Sequence, residues 1–212
     1  MMAWMDHQHS QGMRWEETAA DVDVSQAASR SLLQQGPTRD HEPSTVVELV
    51  LQAFQRGSDQ DIEDLFTFVD PTGELVARHA SAAGAMNSFK WKIRKEPRWK
   101  NIAARPHAAL LHMRAFEIAG GVMTDPDVRL YMVRAQPFFP DAPQAESDVI
   151  FQFKLVRHRA TTPEAAEALG SMHGCWVVRD IAPDYASWSV RNPSGAGVAP
   201  DTFKRPKRSA EH

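Results

Sequence analysis

Two short segments near the carboxyl end constrain this chain most. Asp148-Val149-Ile150-Phe151-Gln152-Phe153-Lys154-Leu155-Val156-Arg157 and Gly174-Cys175-Trp176-Val177-Val178-Arg179-Asp180-Ile181 are rich in β-branched and aromatic residues. Turn-forming residues bound both, so each reads as a strand, and the two read as antiparallel neighbours. Any apolar helix face upstream needs such a pair to pack against.

The upstream pattern is first helical. Thr45-Val46-Val47-Glu48 has the spacing of a capping box, and Val47, Val50, Leu51 and Phe54 recur at helical intervals up to Gly57, a left-handed stop. Ser58 can cap a second helix, with Asp59 and Asp61 at its positive end and Ile62, Leu65, Phe66 and Val69 as its buried stripe; Pro71 closes it. A weak stretch from Glu74 to Gly84 leads to a third helix over about Ala85 to Lys95, with Met86, Phe89 and Ile93 inward and Trp91 outward. Strand character follows at His107 to Ala119 and Val128 to Gln136, with Gly120-Gly121 and Asp125-Pro126-Asp127 as the hairpin turn. The prolines between Pro137 and Pro143 make a loop, and Thr162 to Leu169 predicts a helical insertion. The last strand ends near Pro183.

Residues 1–43 read as a flexible, polar arm with room for a short helix from Ser25 to Gln34, residues 44–183 as one domain, and residues 184–212 as a basic-ended tail. The tail's Lys204-Arg205-Pro206-Lys207-Arg208 has the composition of a nuclear import signal. His7 and His9 lack a supporting shell for a metal. The arm has neither the basic n-region nor the apolar h-region of a secretory signal.

Net charge bears on partners. With 24 basic and 27 acidic residues the chain carries −3, so a preference for nucleic acid or membrane must be local. Cys175 is the single cysteine, which excludes an internal disulfide and points to a reducing, intracellular compartment. No apolar run is long enough to span a membrane. A phosphate loop, a nucleophile elbow and a zincin motif are all missing, and no cofactor or metal is expected.

Three helices followed by four strands predict an α+β domain with helices on one face of an antiparallel sheet. A sheet strongly bent around a helix encloses a cone, and this order resembles the nuclear-transport-factor-2-like (NTF2-like) fold. Leu51-Gln52-Ala53-Phe54-Gln55, Phe66-Thr67-Phe68-Val69-Asp70-Pro71, the spacing of Phe89, Ile93-Arg94, Pro97 and Trp99, and Gly174-Cys175-Trp176-Val177 resemble the DUF4864 family of that superfamily. The resemblance runs from Thr45 to Ile181, about two thirds of the chain. It differs between Gly73 and Ser88 and at the insertion from Thr162 to Gly170. It implies a scaffold with a cavity, and fold does not fix function.

Tyr131, Phe151, Phe153 and Trp176, with His112, are the expected walls of that cavity and would take a small apolar ligand; the same aromatic residues can equally fill a dry core. In the superfamily's lyases and isomerases a His or Asp in the cone acts as general base, which makes His112 and Asp180 the catalytic alternative. His158, between two arginines, and His173, before Gly174, read as exposed; Asp180 reads as a strand end or a partner of Arg179. Cys175 reads as a packed thiol. Lys90-Trp91-Lys92-Ile93-Arg94-Lys95-Glu96-Pro97-Arg98-Trp99-Lys100 sets six basic residues against one acid, and Lys90, Trp91, Lys92, Arg94 and Lys95 could grip an anionic surface, nucleic acid or membrane. The leading expectation is a non-catalytic binding or protein-interaction module, dimerising through its sheet. A small-molecule lyase or isomerase and an anionic-surface binder are the alternatives.

Overall fold

The computed structural model describes residues 19–98, 106–142, 148–160 and 162–184. His7, His9, Trp99, Lys100, and Lys204 to Arg208 with the rest of the tail beyond Asp184 lie outside them.

The chain is α+β. Helices α1 (Ala19–Gln35), α2 (Pro43–Arg56), α3 (Asp59–Phe66), α4 (Glu74–Ala77), α5 (Ala82–Ile93) and α6 (His107–Leu111) precede strands β1 (Met113–Asp125), β2 (Val128–Pro137) and β3 (Val149–Arg157). Helix α7 (Pro163–Leu169) separates β3 from β4 (Trp176–Pro183). The sheet is a fully antiparallel meander, β1-β2-β3-β4.

The pleat decides which residues meet the helices. Tyr131, Val133 and Ala135 of β2, Val149, Phe151, Phe153 and Leu155 of β3, and Trp176, Val178 and Ile181 of β4 are buried in one cluster with Val46, Val47, Val50, Leu51 and Phe54 of α2. Alternation at period two puts these side chains on one face, while Arg134 and Gln152 face solvent. Helix α2 crosses that inner face, touching β1, β2 and β4. The far edge of β4 is covered by residues 68–70, which pair in parallel: Val178 N–H donates to Phe68 O at 2.7 Å and Asp70 N–H to Val178 O at 2.9 Å. Capping this edge leaves fewer unpaired backbone groups there.

Several boundaries differ from the sequence reading. Helix α1 occupies Ala19–Gln35, well inside the expected arm, because Leu33 is fully buried in the main core and Ser29 accepts from Arg56 Nη1 at 2.9 Å. Helix α2 starts at Pro43, with Glu42 as N-cap and no side-chain cap; proline's fixed φ and missing N–H suit the first turn, and Thr45 lies within the helix. Gly57 does stop α2 in the left-handed region, at φ 65°, and Ser58 does cap α3, accepting from Asp61 N–H at 3.0 Å. Helix α3 ends at Phe66, before Pro71, because Phe68 to Asp70 leave it to pair with β4.

His107–Leu111 is helical where a strand was expected. Alanine and leucine are strong helix formers, and Ala109, Leu110 and Leu111 are buried consecutively, which the alternating reading of that stretch missed. Strand β1 runs through Gly120-Gly121 instead of turning there. Gly120, at φ 52°, lies at a register shift in the strand, and the reversal comes at Pro126-Asp127, where Asp125 Oδ1 accepts from Asp127 N–H at 3.0 Å.

Candidate ligand-binding site

The four aromatic residues expected to wall a cavity fill the core instead. Phe151 and Phe153 are fully buried, Trp176 and Tyr131 nearly so. The Trp176 ring lies 4.8 Å from the Arg157 guanidinium and 5.2 Å from that of Arg129, a cation–π arrangement. Inward-facing strand residues and α2 close on one another there.

An open depression of about 460 Å³ lies elsewhere, where α2, α5 and α6 end and β1 begins. The local sequence builds it. Gly57 stops α2, Pro97 follows the end of α5, and α6 runs directly into β1 through His112. Two backbone contacts hold the floor: Phe138 N–H donates to His112 O at 2.9 Å, and Gln55 Nε2 donates to Arg114 O at 2.7 Å. Ile93, Leu111 and Met113 supply apolar wall, and Phe138 is 47% exposed at the rim. Adjacent phenylalanines thus part company, since Phe139 is buried.

His112 is the one residue of the expected ligand set that lines this depression. Its Nε2 lies 3.4 Å from the Lys92 carbonyl oxygen. A carbonyl can only accept, so Nε2 carries the hydrogen and Nδ1 of the neutral ring is left as an acceptor. Burial lowers the His112 pKa from its ordinary 6.5, against a smaller upward pull from the Lys92 carbonyl. The ring is therefore neutral near pH 7.

Two arginines line the same wall. Arg56 is committed elsewhere, with Nε 2.7 Å from Oδ1 of the buried Asp61 and Nη1 on Ser29. Arg114 is exposed, and among the described residues no carboxylate pairs with its guanidinium. Among the described residues no aspartate or glutamate lines the depression.

Asp180 belongs to a different place. Arg78 Nη2 donates to both its carboxylate oxygens, at 2.6 and 2.8 Å, and Arg78 Nη1 donates to Ile181 O. The expected partner, Arg179, turns instead to Glu74, its Nε 2.9 Å from Oε2, and to Asp70. His112 and Asp180 thus have separate partners and are not hydrogen-bonded to each other. His158 is not simply exposed either, since it faces the fully buried Asp70. His107, which the sequence reading passed over, is half-buried between Phe89 and Phe151, with Nε2 3.0 Å from Ile181 O; burial lowers its pKa.

The basic helix is partly neutralised by α3. Lys90 pairs with Glu63 and Arg94 with Asp59. Lys95 sits over the half-exposed Trp91 ring at 5.0 Å, and Lys92 over Phe89 at 5.1 Å. The Cys175 thiol is buried near the carbonyls of Ser171 and Pro37, and burial raises its pKa. No helix among the described residues is long and apolar enough to cross a membrane.

Of the residues that form the depression, Gln55, Arg114 and Phe138 were not singled out by sequence. The Pro-Phe-Phe-Pro stretch carried a usable cue, because a short loop cannot bury both of two consecutive rings. Compared with known proteins, the chain matches no family model, no curated protein and no solved structure.

Proposed function

We propose that the chain is a non-catalytic binding module built on an NTF2-like scaffold of the DUF4864 kind, and that its ligand site is the open depression between α2, α5, α6 and β1. The single observation that carries this reading is the half-exposed Phe138 beside apolar wall and the exposed Arg114, in a concavity whose volume falls within the usual range for small-molecule sites. Helices first and a four-stranded antiparallel meander after them support the scaffold. The pairing of Asp180 with Arg78 weighs against the alternative of a lyase or isomerase that uses a His or an Asp as its base, insofar as that base is Asp180. Pairing of Lys90 and Arg94 with α3 carboxylates weighs against the anionic-surface reading.

Native mass spectrometry of the purified chain tests this. A stoichiometric small-molecule adduct that Phe138→Glu abolishes, with the fold kept by circular dichroism, is the expected result. An adduct indifferent to Phe138→Glu, or none from any cell extract, overturns the assignment of this site.

A further inference from the structure

We propose that the depression selects small amphiphilic monocarboxylates, with Arg114 holding the carboxylate and Phe138, Met113 and Ile93 covering the apolar body. The inference rests on the binding-module reading and adds the chemistry of the ligand.

Charge balance around the depression carries it. Among the described residues its wall contains two arginines and no acid. Arg56 is held by Asp61 at 2.7 Å, a carboxylate that Arg30 also approaches at 3.6 Å; its Nε and Nη1 are occupied and its Nη2 is buried, which leaves Arg114 as the exposed guanidinium. Arg114 is exposed and among the described residues no carboxylate pairs with it, while its carbonyl accepts from Gln55, which places the residue at the rim. One exposed guanidinium matches one carboxylate, with the geometry for two parallel N–H donations. A polyanion such as a nucleotide would need further cations, and the nearby Lys90 and Arg94 are paired with Glu63 and Asp59.

The remaining surface fits a hydrophobic body. Ile93, Leu111 and Met113 back the depression, and Phe138 presents a ring that solvent covers on one side. His112 adds a preference: with Nε2–H directed to the Lys92 carbonyl, its Nδ1 accepts from a ligand hydroxyl. A hydroxyaryl carboxylate meets all three groups.

Isothermal titration of the full chain with para-hydroxyphenylacetate, octanoate and para-hydroxyphenylacetamide tests the proposal. Both carboxylates should bind, with the amide about tenfold weaker than its acid, a difference of about 1.4 kcal/mol. Arg114→Gln should erase the difference between acid and amide, and Phe138→Ala should weaken both. Equal affinity for acid and amide would overturn the charge selection while leaving the binding site in place. Failure of all three probes, where native mass spectrometry still finds a Phe138-dependent adduct, would overturn the carboxylate class alone. Phe138-dependent capture of a peptide, without carboxylate binding, would overturn the small-molecule assignment.

Discussion

His158 holds its Nε2 3.3 Å from Oδ2 of Asp70, a carboxylate with no solvent exposure. Arg179 Nη1 approaches the same oxygen at 3.5 Å, while Oδ1 accepts from Thr72 N–H and Oγ1, each at 2.8 Å. The Oδ2 contacts are close in charge but not aligned as hydrogen bonds. Asp70 thereby ties the 68–72 segment to the end of β3 and to the irregular stretch of β4 around Arg179.

Removing Asp70 takes the acceptor from Thr72 N–H and Oγ1 and one counter-charge from the half-buried Arg179. Asp70→Ala should cost about 3 kcal/mol of stability, in the range for breaking a buried pair. Urea unfolding followed by circular dichroism would measure it. A loss below about 1 kcal/mol would mean that the cluster contributes little beyond its turn.

Glu74 lies within reach of Lys154 at 3.0 Å and Arg179 at 2.9 Å, and its pKa falls from 4.5 to about 2, mainly through the Lys154 hydrogen bond. A carboxylate depressed on folding adds stability above its unfolded pKa and loses it as pH falls towards the folded value. The contribution of Glu74 is thus present at neutral pH and disappears between about pH 4.5 and pH 2. Glu74→Gln should be modestly less stable than the parent at pH 7 and indistinguishable from it near the acid end; thermal melts across that window decide. The site is partly exposed, so added salt should shrink the difference.

His107 and His112 have pKa values lowered from 6.5, chiefly by burial. Protonation then favours the unfolded chain, and the stability the neutral rings provide is present above pH 6.5 and declines as pH falls below it. His107→Gln keeps a donor for the Ile181 carbonyl and removes the titration. Its melting temperature should fall less than the parent's on going from about pH 7 to about pH 5. Parallel pH profiles for the two proteins would count against a half-buried, neutral His107.

Two glycines should respond to alanine in opposite directions. A Cβ on Gly73 would lie 2.5 Å from the Arg179 carbonyl oxygen, a backbone atom that cannot move aside, so Gly73→Ala should cost about 1–3 kcal/mol. Gly84, in the first turn of α5, offers a Cβ ordinary contact with Ser81 Oγ at 3.4 Å. Gly84→Ala should gain about 0.5 kcal/mol by lowering the entropy of the unfolded chain. Chemical denaturation of both variants tests the pair.

The sequence by itself determined what depends on local pattern. Runs of β-branched and aromatic residues between turn formers marked β3 and β4, helical spacing fixed the inner faces of α2 and α5, and the backbone freedom of Gly57 and the hydroxyl of Ser58 set the α2–α3 junction. Tertiary structure decided the rest. The stretch around Leu110 and Leu111 reads as strand or helix alike, and its helical form goes with helix-forming residues packed against α2, α5 and β2. Asp180 found Arg78, a hundred residues away, where sequence offered Arg179 next door, and among the described residues no carboxylate pairs with Arg114. Which charges end up matched depends on distances through folded space, and no spacing along the chain encodes them.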